Sequence, residues 1–191
     1  MSKTWTDFEL ENAFWMPKAK TITFRTSTLA NAFASAIIPF IKPTSFEIRT
    51  VLEILAINPK DLRCAYCGEK ATECDHLHPI VSKHRPSGFP STIKNLVPSC
   101  SKCNQSKGGK AWRNWIKSDA KLSPKSRRIA DLDERISRLD NYDKWANCSP
   151  MPVEQVVGKQ LYEDYFRKLD NIVTEMKKAQ DMATKLKEKL R

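Results

Sequence analysis

The hydrophobic positions of this chain recur mostly at intervals of three and four, which predicts a mainly helical protein. Trp5, Phe8, Leu10, Phe14 and Trp15 form a loose helical set over residues 5–15. Residues 21–26 alternate apolar and polar side chains and include β-branched residues, so they predict a short strand. Residues 27–41 are rich in alanine and put Leu29, Phe33, Ile37 and Phe40 on one face of a buried helix ended by Pro43. Thr44 and Glu47 have capping-box spacing and open a helix with Ile48, Val51, Leu52 and Leu55 inward. Asn58-Pro59 breaks it, closing a helical lobe over residues 1–60.

The middle of the chain reads differently. Residues 71–78 predict a first strand, 79–94 a long polar loop, 95–97 the start of a second strand and 101–107 a short helix ended by Gly108-Gly109. With a further helix over 111–118, which turns Trp112, Trp115 and Ile116 inward, this makes a module of residues 61–118. In residues 119–191, Ser123-Pro124 is an N-cap and first-turn pair. It opens a helix to about Leu139, with Ile129, Leu132, Ile136 and Leu139 on one face, before a linker at 146–152. Residues 153–190 contain one glycine, Gly158, and no proline, and read as a single helix about 57 Å long. Tyr162, Tyr165, Leu169, Ile172, Met176, Ala179, Ala183, Leu186 and Leu190 step along it as a heptad seam. That seam serves either a self-associating coiled coil or a helix lying along the body.

Composition narrows the setting. At 191 residues and 40% hydrophobic, the chain suffices for one substantial domain, or a small one with extensions. No stretch approaches the ~18 apolar residues of a membrane span. The N-terminus lacks the apolar core of an export signal, so the expected compartment is the cytoplasm. There the six cysteines stay reduced and paired Cys-x-x-Cys points to metal. The net charge is +11, and the excess is densest in residues 61–110, with 8 Lys and Arg against 4 Asp and Glu. Such a balance suits a nucleic-acid partner, through displacement of counterions from phosphate; the alternative is a solvated surface.

The chemistry-bearing residues gather in that basic segment. Cys64, Cys67, Cys100 and Cys103 have the spacing of a closed, structural Zn²⁺ site. Asp75 and Asn104 are oxygen ligands suited to Mg²⁺, which keeps several of its waters. His76 suits a general base, because a neutral imidazole near pH 7 can accept a proton from water. Neighbours on a regular strand face opposite sides, so the strand must end or twist for Asp75 and His76 to serve one phosphate. Cys74 and Cys148 lack partners at ligand spacing and read as free thiols.

Taken together, Cys-Ala-Tyr-Cys, Cys-Asp-His-Leu-His-Pro and Asn-Leu-Val-Pro-Ser-Cys-Ser-Lys-Cys-Asn-Gln-Ser-Lys resemble the HNH, or His-Me finger, endonucleases with a ββα-metal fold. The likeness is to the zinc-bound branch, which includes phage junction-resolving nucleases and some type II restriction enzymes. The continuation Ser-Lys-Gly-Gly-Lys-Ala-Trp-Arg-Asn-Trp is a looser likeness to bacterial HNH restriction-type proteins. The resemblance implies that Asp75 and Asn104 hold one divalent ion, Mg²⁺ or Mn²⁺. It implies that His76 is the base and that Asn95 braces the loop carrying it. Asn104 stands where the family name has its final His.

The fold class expected is thus α+β, mainly helical: a ββα-metal module with a four-cysteine zinc site, flanked by N- and C-terminal helices. The activity expected is metal-dependent cleavage of double-stranded DNA to 5′-phosphate and 3′-hydroxyl ends. It suits a type II restriction enzyme dimerised through the C-terminal helix. The alternatives are a homing or nicking nuclease and a zinc-stabilised DNA-binding protein without activity. His78 lies on the His76 side of the strand and either meets phosphate, supports the base, or is a polar residue before Pro79. His84 and Arg85 contact DNA or solvent. Lys107, one helical turn past Asn104, is a candidate phosphate contact. The N-terminal lobe fills the core or contacts DNA beside the cleavage site.

Overall fold

The computed structural model describes residues 4–13, 17 and 19–190, so Phe14 and Trp15 of the first expected helix lie outside the described residues. Residues 27–169 form one compact unit; residues 1–26 with 170–191 form another. In the second, α1 (Asp7–Ala13) buries no residue. The strand expected at 21–26 is instead a 3₁₀ helix, Ile22–Arg25. An isolated strand leaves its backbone groups unpaired. Here the Phe24 amide donates to the Thr21 carbonyl at 3.2 Å and the Ile22 amide to Gln180 Oε1 at 2.7 Å.

In the larger unit, α2 (Thr26–Ala36) stops short of the expected residue 41. Pro39 lacks an amide hydrogen and disfavours helix at the residue before it. The chain then runs extended, with the Ser91 amide donating to Pro39 O at 2.9 Å and the Ile41 amide to Ser91 O at 3.0 Å. The buried residues of α2 are Ala30 and Ala34, not the larger apolar set, and Phe40 is exposed. α3 (Ser45–Ile54) forms where expected, with both halves of the Thr44–Glu47 capping box in place.

The middle module has the expected order of strand, loop, strand, helix. β1 (Glu73–His76) pairs antiparallel with β4 (Leu96–Ser99), placing Asp75 opposite Val97 and His76 opposite Leu96. The loop between them contains a small hairpin, β2 (Val81–Ser82) with β3 (Arg85–Pro86). Lys83 and His84, both at positive φ, make its turn. α4 (Ser101–Lys107) follows β4 and packs on β1. Gly108, at φ 49° and ψ −130°, lets the chain leave the helix in a conformation that side chains exclude.

α5 (Trp112–Ile116) buries both tryptophans. The helix expected from Ser123 to Leu139 does not form as one piece. Ser123 does cap a turn, its Oγ accepting from the Ser126 amide at 3.1 Å. Arg128 then adopts φ 54°, which ends the turn, and α6 starts only at Leu132, running to Ala146. The long C-terminal helix is also divided: α7 (Val153–Val157) and α8 (Lys159–Lys189) are separated by Gly158 at φ 87°.

The core lies between α3, α5, α6 and the ββα module and includes Val51, Tyr66, Leu77, Val97, Trp112, Trp115, Ile116, Leu139 and Tyr142. Each large apolar side chain buried there contributes ~1.5–3 kcal/mol. Trp115 meets Tyr66 edge-on at 5.1 Å between centroids. The Tyr142 hydroxyl lies 2.7 Å from Ile93 O and 3.0 Å from Leu96 O, which ties α6 to the start of β4. The fold is α+β and mainly helical. No described helix is long and apolar enough to cross a membrane.

Candidate active site and metal centre

Cys64 and Cys67 lie on a tight turn in which the Gly68 amide donates to Cys64 O at 2.9 Å. Cys100 is the residue before α4, and Cys103 lies in its first turn. Cys-x-x-Cys on a turn and Cys-x-x-Cys across a helix start each bring two sulfurs to one side. The four ligand atoms lie within 4.8 Å of one another, and all four residues are buried free thiols. Hydrogen bonding from Cys64 and Cys67, with burial, holds the Cys103 thiol well above its usual value. Hydrogen bonds from Cys103 and Cys64 hold Cys67 well below it. Four thiolates cannot crowd together without a cation among them, and the set has no oxygen donor. It fits one tetrahedral metal ion. Arg127, which the sequence did not single out, donates from Nη2 to Cys103 Sγ at 2.8 Å and adds positive charge at the cluster.

Asp75 and His76 are the last two residues of β1, both still paired with β4. Asp75, His76 and Asn104 line one cavity of about 500 Å³, with Asn31 from α2, Lys83 and His84 from the hairpin turn, and Gly108 and Gly109 after α4. Asp75 is 6% exposed, and burial raises its carboxyl above the usual range. Its Oδ2 accepts from the buried Tyr66 hydroxyl at 2.7 Å and lies 3.0 Å from Lys107 Nζ. Asn104 donates from Nδ2 to Glu73 Oε2 at 2.7 Å, which turns its carboxamide oxygen into the atom available to a cation. Asp75 Oδ1 and this oxygen are hard donors and fit a small divalent ion that keeps waters.

His76 Nε2 lies 2.9 Å from Ser91 Oγ. In the tautomer protonated at Nε2, Ser91 accepts and Nδ1 carries the basic lone pair. Burial, aided by the Lys107 charge, holds this imidazole below its usual value and so keeps it neutral near pH 7. Ser91 is held by the extended segment after α2, so residues of the expected helical lobe support the ring.

Asn95 is fully buried. Its Oδ1 accepts from the His78 amide at 2.8 Å, and its Nδ2 donates to His78 O at 3.0 Å and Pro90 O at 3.2 Å. One side chain therefore clamps both ends of the loop that follows His76.

Residues 64–110 match the family model described as HNH endonuclease. The chain carries an HNH endonuclease domain. A CRISPR-associated endonuclease Cas9 of Corynebacterium diphtheriae is 36% identical over 66 residues, covering 32% of this chain and 6% of that protein. The chain thus spans only a small part of that relative's length. No solved structure matches the chain.

The remaining expected site residues of the HNH domain take various places. His78 points away from the cavity: its Nε2 lies 2.7 Å from Asp143 Oδ1, and its ring stacks on Phe89 at 4.6 Å. It joins the loop to α6. His84 is exposed at the cavity lip, whereas Arg85 covers the Phe166 ring at 4.2 Å. Lys107, expected at a phosphate, is fully buried, and its ammonium faces Asp75 and His76 O instead. Tyr66, Ser91 and Asp143 are partners that sequence reasoning missed. Of these only Tyr66 carried a signal, its place between two cysteines.

Proposed function

We propose that this protein is a metal-dependent DNA endonuclease that hydrolyses phosphodiester bonds to 5′-phosphate and 3′-hydroxyl ends. The observation that carries this reading is the convergence of Asp75, His76 and Asn104 on one open cavity within an HNH domain. The neutral His76 takes a proton from the water that attacks phosphorus. Ser91 and the Asn95 clamp hold that ring and its loop in place. Asp75 and Asn104 hold Mg²⁺, or Mn²⁺ in its stead. When bound, the ion supplies positive charge to the phosphate oxygens and the leaving 3′ oxygen. Cys64, Cys67, Cys100 and Cys103 hold Zn²⁺ as a folding clamp. Lys83 and His84 at the lip suit the backbone of double-stranded DNA, and Asn31 reaches the cavity from α2. His76→Ala is expected to abolish plasmid cleavage while DNA binding and zinc content persist. Full cleavage by that variant would overturn the mechanism.

The biological role that we favour is a cytoplasmic type II restriction enzyme. One Asp75–His76 pair cuts one strand, so a double-strand cut needs two copies. Exposed Ile172 and Leu186 on α8, with Leu190 just beyond its end, support a homodimer through that helix. A nicking or homing enzyme is the second reading, favoured by the single catalytic pair per chain. Incubation with plasmid and Mg²⁺ separates the readings. Fragments with fixed ends mean restriction, and nicked circles mean nicking. Binding without cleavage means a zinc-stabilised DNA-binding protein.

A further inference from the structure

Apart from its charge beside His76, Lys107 takes no part in the hydrolysis described above, yet its side chain is wholly buried beside both residues that carry it. Its ammonium lies 3.0 Å from Asp75 Oδ2 and donates to the His76 carbonyl at 2.7 Å. The buried Tyr66 hydroxyl donates to the same Oδ2 at 2.7 Å. One carboxylate oxygen is therefore engaged twice, once by a charge. Asp75 can offer a cation only its other oxygen. The ammonium is also a positive charge lodged against the carboxylate that would hold the cation, away from water, where like charges repel more strongly than in solution. With Lys107 removed, the buried carboxylate would be uncompensated until an external cation arrived.

We propose that Lys107 and Tyr66 are positioning residues that restrict Asp75 to one-oxygen ligation of the divalent cation, and that the Lys107 charge weakens the site's hold on that cation. The inference rests on the reading of Asp75 as a metal ligand. It has two consequences. A site with one carboxylate oxygen suits a small octahedral ion such as Mg²⁺ or Mn²⁺ and disfavours Ca²⁺, which takes more oxygens and often both of a carboxylate. Second, Lys107 keeps the metal-free site near neutral, so the domain stays folded while the ion exchanges.

The test is Mn²⁺ titration of the zinc-loaded, full-length protein without DNA, with free Mn²⁺ followed by electron paramagnetic resonance. Lys107→Met is expected to bind Mn²⁺ at least ~10-fold more tightly. Its cleavage rate at saturating metal should fall, because the tether on the His76 carbonyl is gone. A merely structural lysine would lower affinity and rate together, and unchanged or weaker binding in Lys107→Met overturns the proposal. Tyr66→Phe removes one hydroxyl and decides the matter if Lys107→Met does not fold. Its Ca²⁺-to-Mn²⁺ affinity ratio is expected to rise several-fold, and an unchanged ratio overturns the one-oxygen ligation. Asp75→Asn separates the layers. Mn²⁺ binding that survives this change would mean that the ligand reading itself has failed. Binding that is lost there but unaltered in the Lys107 and Tyr66 variants would sink this inference alone.

Discussion

Asn95 makes three hydrogen bonds from a fully buried carboxamide, all to backbone groups of the loop beyond His76. Removing one side of a buried hydrogen bond leaves the other unsatisfied, at ~1–3 kcal/mol per group. Asn95→Ala is therefore expected to lower stability in urea by ~2 kcal/mol or more and to slow cleavage further than the stability loss explains. A variant with unchanged stability would show that water replaces the clamp. His78 and Asp143 form a second single-residue tie. Burial opposes ionisation of Asp143, but hydrogen bonds from His78 and Arg113 prevail and hold its carboxyl below the usual 3.8. A carboxyl depressed on folding stabilises the fold above its unfolded pKa, and that contribution is lost as pH falls through the folded value. Acid unfolding below pH 3.8, followed by tryptophan fluorescence, should consequently shift upward in Asp143→Asn, which lacks this contribution at every pH. The Cys-x-x-Cys pairs and the Asp-His pair were legible because their chemistry depends on type and spacing, whereas Asn95 was legible only through the resemblance to the HNH family. Ser91, Asp143 and Arg127 were not, because each reaches its partner across 15, 65 or 24 residues of sequence.

Elements followed local chemistry where no distant contact competed with it. The capping box at Thr44 starts α3 as its sequence requires. Thr44→Ala is expected to cost ~1 kcal/mol, readable as a lower thermal midpoint with cleavage intact. Pro39 and Gly158 show the same logic in reverse: each interrupts a run whose apolar spacing reads as continuous helix. The expected helix from Ser123 failed for a tertiary reason. Arg127 turns toward Cys103 and Glu69, and Arg128 beside it takes a left-handed conformation that no helix accepts. On α8, Phe166 and Leu169 are buried within the larger unit, while Met182 and Leu186 further along are exposed. If the proposed homodimer forms through α8, a double Met182→Lys, Leu186→Lys variant should convert it to monomer in light scattering. An unchanged dimer would exclude this stretch as the main interface.

At the scale of the whole molecule, the thiol cluster joins the first and last parts of the HNH domain. Cys64 and Cys67 precede β1, and Cys100 and Cys103 flank the start of α4. Tyr66 extends that junction to Asp75, and Trp115 rests on the same ring. Chelation of the cluster's ion is therefore expected to remove near-ultraviolet tryptophan dichroism and cleavage together, since metal binding substitutes for core in a module this small. Cleavage that outlasts loss of that ion would show that the two sites are uncoupled. The sequence by itself determined the donor types, the ββα order and the helical majority, because spacing and local propensity act over a few residues. Tertiary structure alone decided the orientation of Lys107 and His78. A basic side chain one turn from Asn104 serves a surface phosphate or a buried carboxylate equally well until packing closes over it. Burial of Asp75 then makes the lysine its counter-charge, because an isolated carboxylate in that place would be unpaired and poorly solvated.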